Sequence, residues 1–124
     1  MSMLSQRLED YLEAVYMLIA DGHPAQVRAV ADMLAVKMPS VVKAIRELKR
    51  LELVTQEPYS NIELTAKGKR VAQLVLGRHN LLRSFLMKLG VSRKHADKDA
   101  CLMEHILSAE TIDRIRIYTE KSSK

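Results

Sequence analysis

Three residues late in the chain carry ligand chemistry at helical spacing: Cys101, Glu104 and His105. Positions i, i+3 and i+4 share one face of a helix. A thiolate, a carboxylate and an imidazole together suit a first-row divalent metal. A buried cysteine beside a solvated Glu-His pair gives the same letters without a metal. Near the other end, Asp10 and Glu13 pair two carboxylates at i, i+3 on one helix face. His79 stands within an apolar stretch, where a neutral imidazole needs a partner; a histidine satisfied inside the core accounts for it as well. There is no HExxH, no glycine-rich phosphate loop and no serine-base constellation. Glu104 and His105 are adjacent rather than flanking a helical turn, and the chain reads as no enzyme.

A second chemistry lies in the distribution of charge. The net charge is +5, yet residues 1–65 hold seven Lys/Arg against nine Asp/Glu, and residues 66–124 hold thirteen against six. Inside the acidic first half, Lys37, Lys43, Arg46, Lys49 and Arg50 face Glu47 alone. A further block from Lys67 to Lys94 contains eight bases and no acid. Patterned basic charge of this kind is the footprint of a phosphate backbone. A solvated basic helix is the alternative for the first patch considered by itself.

The elements that must position these groups follow from periodicity. Leu8, Tyr11, Leu12, Val15, Leu18 and Ile19 recur at helical spacing and predict a first helix over 4–20; Asp21-Gly22-His23-Pro24 stops it. Val27, Val30, Ala31 and Leu34 give a short second helix, Ala35–Met38 a tight break, and Pro39 the first turn of a third. Val41, Ile45 and Leu48 line the buried face of that third helix, leaving Ser40, Val42, Lys43, Arg46, Lys49 and Arg50 outward. Residues 53–57 and 62–64 read as short strands joined by Pro58-Tyr59-Ser60-Asn61, where asparagine tolerates a left-handed position. Thr65 caps a long helix to about Leu89, which Gly90 ends; Ser92 caps a fifth to about Leu107 and Ser108 a sixth to about Glu120.

Helix, helix, turn, helix and a two-stranded wing make a winged helix. The class is mainly α: a winged helix-turn-helix DNA-binding domain over 1–65, then a helical metal-binding and dimerisation domain over 66–124. Stripes at Val71, Leu74, Val75, Leu82, Phe85 and Leu89, and at Ile112 and Ile115, are expected to bury one another and a second copy of the chain. On such a reader Ser40, Val42 and Lys43 are placed for base edges, while Lys37, Arg46, Lys49 and Arg50, with Lys67, Lys69 and Arg70 at the flank, are placed for phosphates. At 124 residues, 48% hydrophobic and 28% charged, the chain is an ordinary globular protein. It holds no apolar run long enough to span a membrane, its start lacks the basic-then-apolar layout expected of a signal peptide, and a single cysteine suits a reducing compartment; the expected location is the cytoplasm.

The stretches EDYLEAVYML, MPSVVKAIRELKRLELV, IELTAKG, RHNLLRSFL and DACLMEHILSAETIDRI, in that order across nearly the whole chain, resemble the diphtheria-toxin-repressor family of metal-dependent transcriptional regulators. The resemblance implies a homodimer that binds a palindromic operator when loaded with iron(II) or manganese(II) and represses metal-uptake genes, with no small-molecule substrate. It also implies ligand positions at Asp10, Glu13, His79, Cys101, Glu104 and His105, beside DNA-contact candidates already read from the helix at Lys37, Pro39, Ser40, Val42, Lys43, Arg46, Lys49 and Arg50. Asp10 and Glu13 look like the manganese-responsive branch and Cys101 like the iron-responsive one. Zinc(II), cobalt(II) and nickel(II) are expected to bind in vitro, following the Irving–Williams order.

The chain departs from the family at several positions. Arg83 stands where an ancillary metal site has a glutamate, and Asp97 falls near another ancillary position. Ser60-Asn61 replaces an arginine-glycine in the wing, Lys37 a small hydroxyl residue, and Val42 a threonine or serine. The SH3-like domain of longer members is expected to be absent. A metal-independent winged-helix regulator with Cys101 as a redox-sensing thiol is the alternative.

Overall fold

The computed structural model describes residues 4–122, and six helices with one two-stranded sheet are found among them. They form two compact units that part between Gln73 and Leu74.

In the first unit, α1 (Gln6–Ala20) starts where the Ser5 hydroxyl accepts the Leu8 amide at 3.2 Å. It buries Leu8, Tyr11, Leu12, Ala14, Val15 and Leu18. Ile19, expected on this stripe, is exposed: it shares the face of Leu12 and Val15 but stands in the last turn, one residue before α1 ends at Ala20. Helix α2 (Val27–Leu34) ends on Ala35 in the left-handed region, φ 55°, while the Val36 amide reaches back to the Ala31 carbonyl at 3.0 Å. That closure is the helix-terminating pattern in which a left-handed residue satisfies orphan carbonyls. Helix α3 (Met38–Arg50) follows with Pro39 in its first turn, where the missing amide costs nothing. Val41, Ala44, Ile45 and Leu48 are buried in the core with Val30, Ala31, Leu53, Val54, Ile62 and Ala72.

The wing is shorter than expected. Strands β1 (Val54–Thr55) and β2 (Glu63–Leu64) pair antiparallel, Val54 opposite Leu64 and Thr55 opposite Glu63. Beyond Thr55 the chain turns, with Gln56 Nε2 donating to the Ser60 carbonyl at 3.1 Å and the Ser60 amide to the Glu57 carbonyl at 3.0 Å. The left-handed residue of this turn is Tyr59, φ 61°, and not Asn61. Pro58 takes the preceding position, so the turn needs positive φ one residue after proline whatever residue stands there.

Helix α4 (Ala66–Lys88) begins as expected: the Thr65 hydroxyl accepts the Gly68 amide at 2.9 Å and donates to the Glu52 carbonyl at 2.7 Å. A side chain at Gly68 would overlap the Leu53 carbonyl oxygen. In the second unit, α5 (Arg93–Met103) is capped by Ser92, and α6 (Ala109–Ser122) by Ser108, whose hydroxyl accepts the Thr111 amide at 3.2 Å. Val75, Leu82, Ala96, Ala100 and Ile112 are buried there, and Phe85 meets Tyr118 edge to face at 6.1 Å. Leu74 and Leu89, placed on the buried stripe by periodicity, are exposed in the single chain. Helix α5 also stops at Met103 instead of running to Leu107. The His105, Ile106 and Leu107 amides bond to carbonyls three or four residues back in a tightened last turn.

Gly68→Ala should lower unfolding stability by roughly 2–4 kcal/mol, since backbone must move to admit the methyl group. Gly77→Ala on the same helix, with open space around it, should be neutral or stabilising by up to about 1 kcal/mol. Urea melts of the two variants test this; equal effects would contradict the close approach at Leu53.

Candidate metal centre and nucleic-acid interface

The reading face comes from α3. Because Val41, Ala44, Ile45 and Leu48 point inward, the remaining positions turn out: Pro39, Ser40, Val42, Lys43, Arg46, Lys49 and Arg50 are all exposed, as is Lys37 just before the helix. Lys37 makes no side-chain capping bond. Glu47, the one acid of the stretch, is held by Arg7 of α1 at 3.0 Å, which draws its charge away from the basic face. Tyr59 stands wholly exposed at the tip of the wing; sequence reasoning gave it no role beyond the turn.

The ligand candidates fall on both units. Asp10 and Glu13 lie one helical turn apart on α1 and are half-buried. The second unit carries His79 on α4, Cys101 on α5, and Glu104 and His105 in the turn that closes α5. Cys101 and Glu104 keep helical register, because the Glu104 amide still bonds the Ala100 carbonyl at 3.0 Å and Glu104 retains right-handed helical dihedrals. The Glu104 side chain is completely shielded from water and His105 almost so, with Oε1 and Nε2 3.4 Å apart. Burying a carboxylate is costly unless positive charge accompanies it. A soft thiolate, a hard carboxylate and imidazole nitrogens are a donor set that a divalent transition ion satisfies. These residues fit the metal that the sequence led us to expect.

His79 shows the same fit in more detail. Its side chain is 13% exposed, and its Nδ1 atom is buried with no hydrogen-bond partner. The other ring nitrogen, Nε2, lies 3.4 Å from Asp97 Oδ1, and that oxygen is in turn 3.0 Å from Arg83 Nη1. Arg83 holds the Asp97 carboxyl below the usual carboxylate range; partial burial works against this, and His79 adds to it. Asp97 entered the sequence reading only as a neighbour of an ancillary position. The signal for its actual partners was available: His79 and Arg83 share a face of α4 at i, i+4, so an acid that meets one meets both.

Arg83→Gln should raise the Asp97 pKa toward its ordinary value, read by carboxyl carbon NMR titration of metal-free protein. A depressed folded-state pKa stabilises above the unfolded value and is lost as pH falls through the folded one. The stability gap between wild type and Arg83→Gln should accordingly close on acidification. A gap that widens would contradict the ion pair.

With this geometry in view, comparison with known proteins is informative. Residues 3–62 match the iron-dependent repressor N-terminal DNA-binding domain, and residues 65–123 the iron-dependent repressor metal-binding and dimerisation domain. The chain is 38% identical over 120 residues to an uncharacterised HTH-type transcriptional regulator of Methanocaldococcus jannaschii, covering 95% of this chain and 96% of that one. It is 39% identical over 113 residues to the HTH-type transcriptional regulator MntR of Bacillus subtilis, covering 91% and 80%. Among solved structures it is similar to the manganese regulator SloR, with a TM-score of 0.81, 25% identity and coverage of 91% of this chain and 53% of that chain. A manganese-dependent transcriptional repressor in complex with manganese gives a TM-score of 0.81 at 26% identity, covering 91% and 52%. The protein thus spans about half the length of those solved chains. A winged reader with an exposed basic helix, followed by helices bearing buried ligand-type side chains, belongs to the iron-dependent (diphtheria-toxin) repressor family, whose members are metal-dependent transcriptional regulators and not enzymes.

Proposed function

We propose that this protein is a manganese(II)- or iron(II)-responsive repressor of metal-homeostasis genes, acting in the cytoplasm as a homodimer on a palindromic operator. Residues 1–65 read DNA, and residues 66–124 hold the metal and dimerise. The observation that carries the reading is the fully buried Glu104 carboxylate beside His105, one turn after Cys101. Asp10, Glu13, His79, Cys101, Glu104 and His105 form the ligand set. Names of manganese regulators among its relatives support the hard-ion choice, and Cys101 leans toward softer iron(II).

When bound, the divalent ion supplies the positive charge that these donors share. Asp10 and Glu13 would then tie the reader's first helix to the ligands of the second region, whereas without it their carboxylates repel one another. The ligands act by shifting population toward the DNA-ready arrangement, only as far as they bind the ion more tightly in that state. Operator DNA must tighten metal binding by the same factor. On DNA, Ser40, Val42 and Lys43 read base edges, while Lys37, Arg46, Lys49 and Arg50 set the phosphate register and Pro39 opens the reading helix. Two readers about 34 Å apart enter successive major grooves.

The test uses duplexes selected from a random library on manganese-loaded protein, then titrated anaerobically with manganese(II), iron(II) or chelator. Binding should depend on metal. Equal affinity in chelator overturns the reading and favours the metal-independent regulator with Cys101 as a thiol sensor. Lys43→Ala should weaken binding to the selected duplex. Arg50→Ala should weaken all duplexes alike and reduce the salt slope by about 1. Calorimetry of both ions into wild type and Cys101→Ala tests the ligand set directly.

A further inference from the structure

Asp97 and Arg83 have no place in the ligand set, yet they meet His79 on its Nε2 side. A neutral imidazole at this position has two tautomers. A proton on Nδ1 would be buried with nothing to accept it, because that atom has no hydrogen-bond partner. It would also leave the Nε2 lone pair facing the Asp97 carboxylate at 3.4 Å, a repulsive arrangement of two acceptors. A proton on Nε2 alone gives the carboxylate its donor and leaves Nδ1 as a bare lone pair in a dry environment, the state a metal ligand requires.

We propose that Asp97, itself fixed by Arg83, is a positioning residue that holds His79 as the Nε2–H tautomer, so that Nδ1 is the nitrogen offered to the metal. The inference rests on the metal reading above and adds an atom to it. Arg83 anchors the accepting oxygen at 3.0 Å. His79 and Arg83 lie at i, i+4 on α4 and Asp97 lies on α5, so one ion pair sets both the height and the rotation of the ring. No proton leaves His79 when Nδ1 donates its lone pair. Asp97, with one oxygen already shared by two donors, acts here as an acceptor and not as a ligand.

The experiment has two readouts. Long-range proton–nitrogen correlation spectra of metal-free, nitrogen-15-labelled protein should show His79 with a pyrrole-type Nε2 and a pyridine-type Nδ1. Asp97→Ala should move His79 to a tautomer mixture and weaken manganese(II) binding by calorimetry roughly 10- to 100-fold. Asp97→Asn, which keeps an accepting oxygen, should restore much of both. Arg83→Gln gives the same test with the carboxylate retained if Asp97→Ala does not fold. A proton found on Nδ1 in the wild type overturns the proposal, as does an Asp97→Ala protein with unchanged tautomer and affinity. Failure of wild type to bind manganese(II) despite the expected tautomer would instead remove His79's ligand role and with it the metal reading, which separates the two failures.

Discussion

At Gly68 the backbone of α4 comes so close to the Leu53 carbonyl that no side chain fits between them. Around that contact the Thr65 hydroxyl bonds both the Gly68 amide and the Glu52 carbonyl, and the Thr65 amide bonds the Leu53 carbonyl at 3.1 Å. Glu52, with φ of 62°, ends α3. The end of the reading helix, the root of the wing and the start of α4 are therefore a single hydrogen-bonded joint. Its parts constrain one another because backbone groups buried there must find partners. Both the exposed basic face of α3 and the two-residue strands of the wing depend on it: α3 cannot rotate, and the strands cannot shift register, without breaking the Thr65 bonds.

The second unit is organised by charge that cannot reach water. Glu104 and His105 are buried together, and His79 turns one nitrogen toward Asp97 while the other is dry. Cationic partners decide what such a region can do. Arg83 already supplies a cation to Asp97, so that acid is committed. Glu104 is sealed from water beside the His105 imidazole. Within one short stretch, Asp97 is neutralised by an arginine side chain while Glu104 is buried beside an imidazole.

Most elements were legible because their signals are local. Thr65, Ser92 and Ser108 each cap the helix they precede, since a hydroxyl beside orphan amides works without help from the rest of the chain. The outward face of α3 was legible for the same reason: Val41, Ile45 and Leu48 set its rotation. Errors came where tertiary packing overrides local pattern. Ile19, Leu74 and Leu89 fit an apolar period but are exposed in the single chain, as periodicity cannot tell which partner an apolar side chain meets. Helix α5 ended four residues early because periodicity continues through a turn that tightens. Propensity points to Asn61 for positive φ, but the turn's position relative to Pro58 places it at Tyr59.

For the candidate site, the sequence alone determined the chemistry: the types of Cys101, Glu104, His105, His79, Asp10 and Glu13, and their shared helix faces. These follow from side-chain identity and the 3.6-residue repeat, which any segment carries with it. Only the tertiary structure decided that Glu104 is sealed from water, and that Asp97, fourteen residues from Arg83 and eighteen from His79, closes on both. Burial and long-range ion pairing depend on which helices pack together. Packing settles desolvation and the direction each ring nitrogen faces, and neither is written in local spacing.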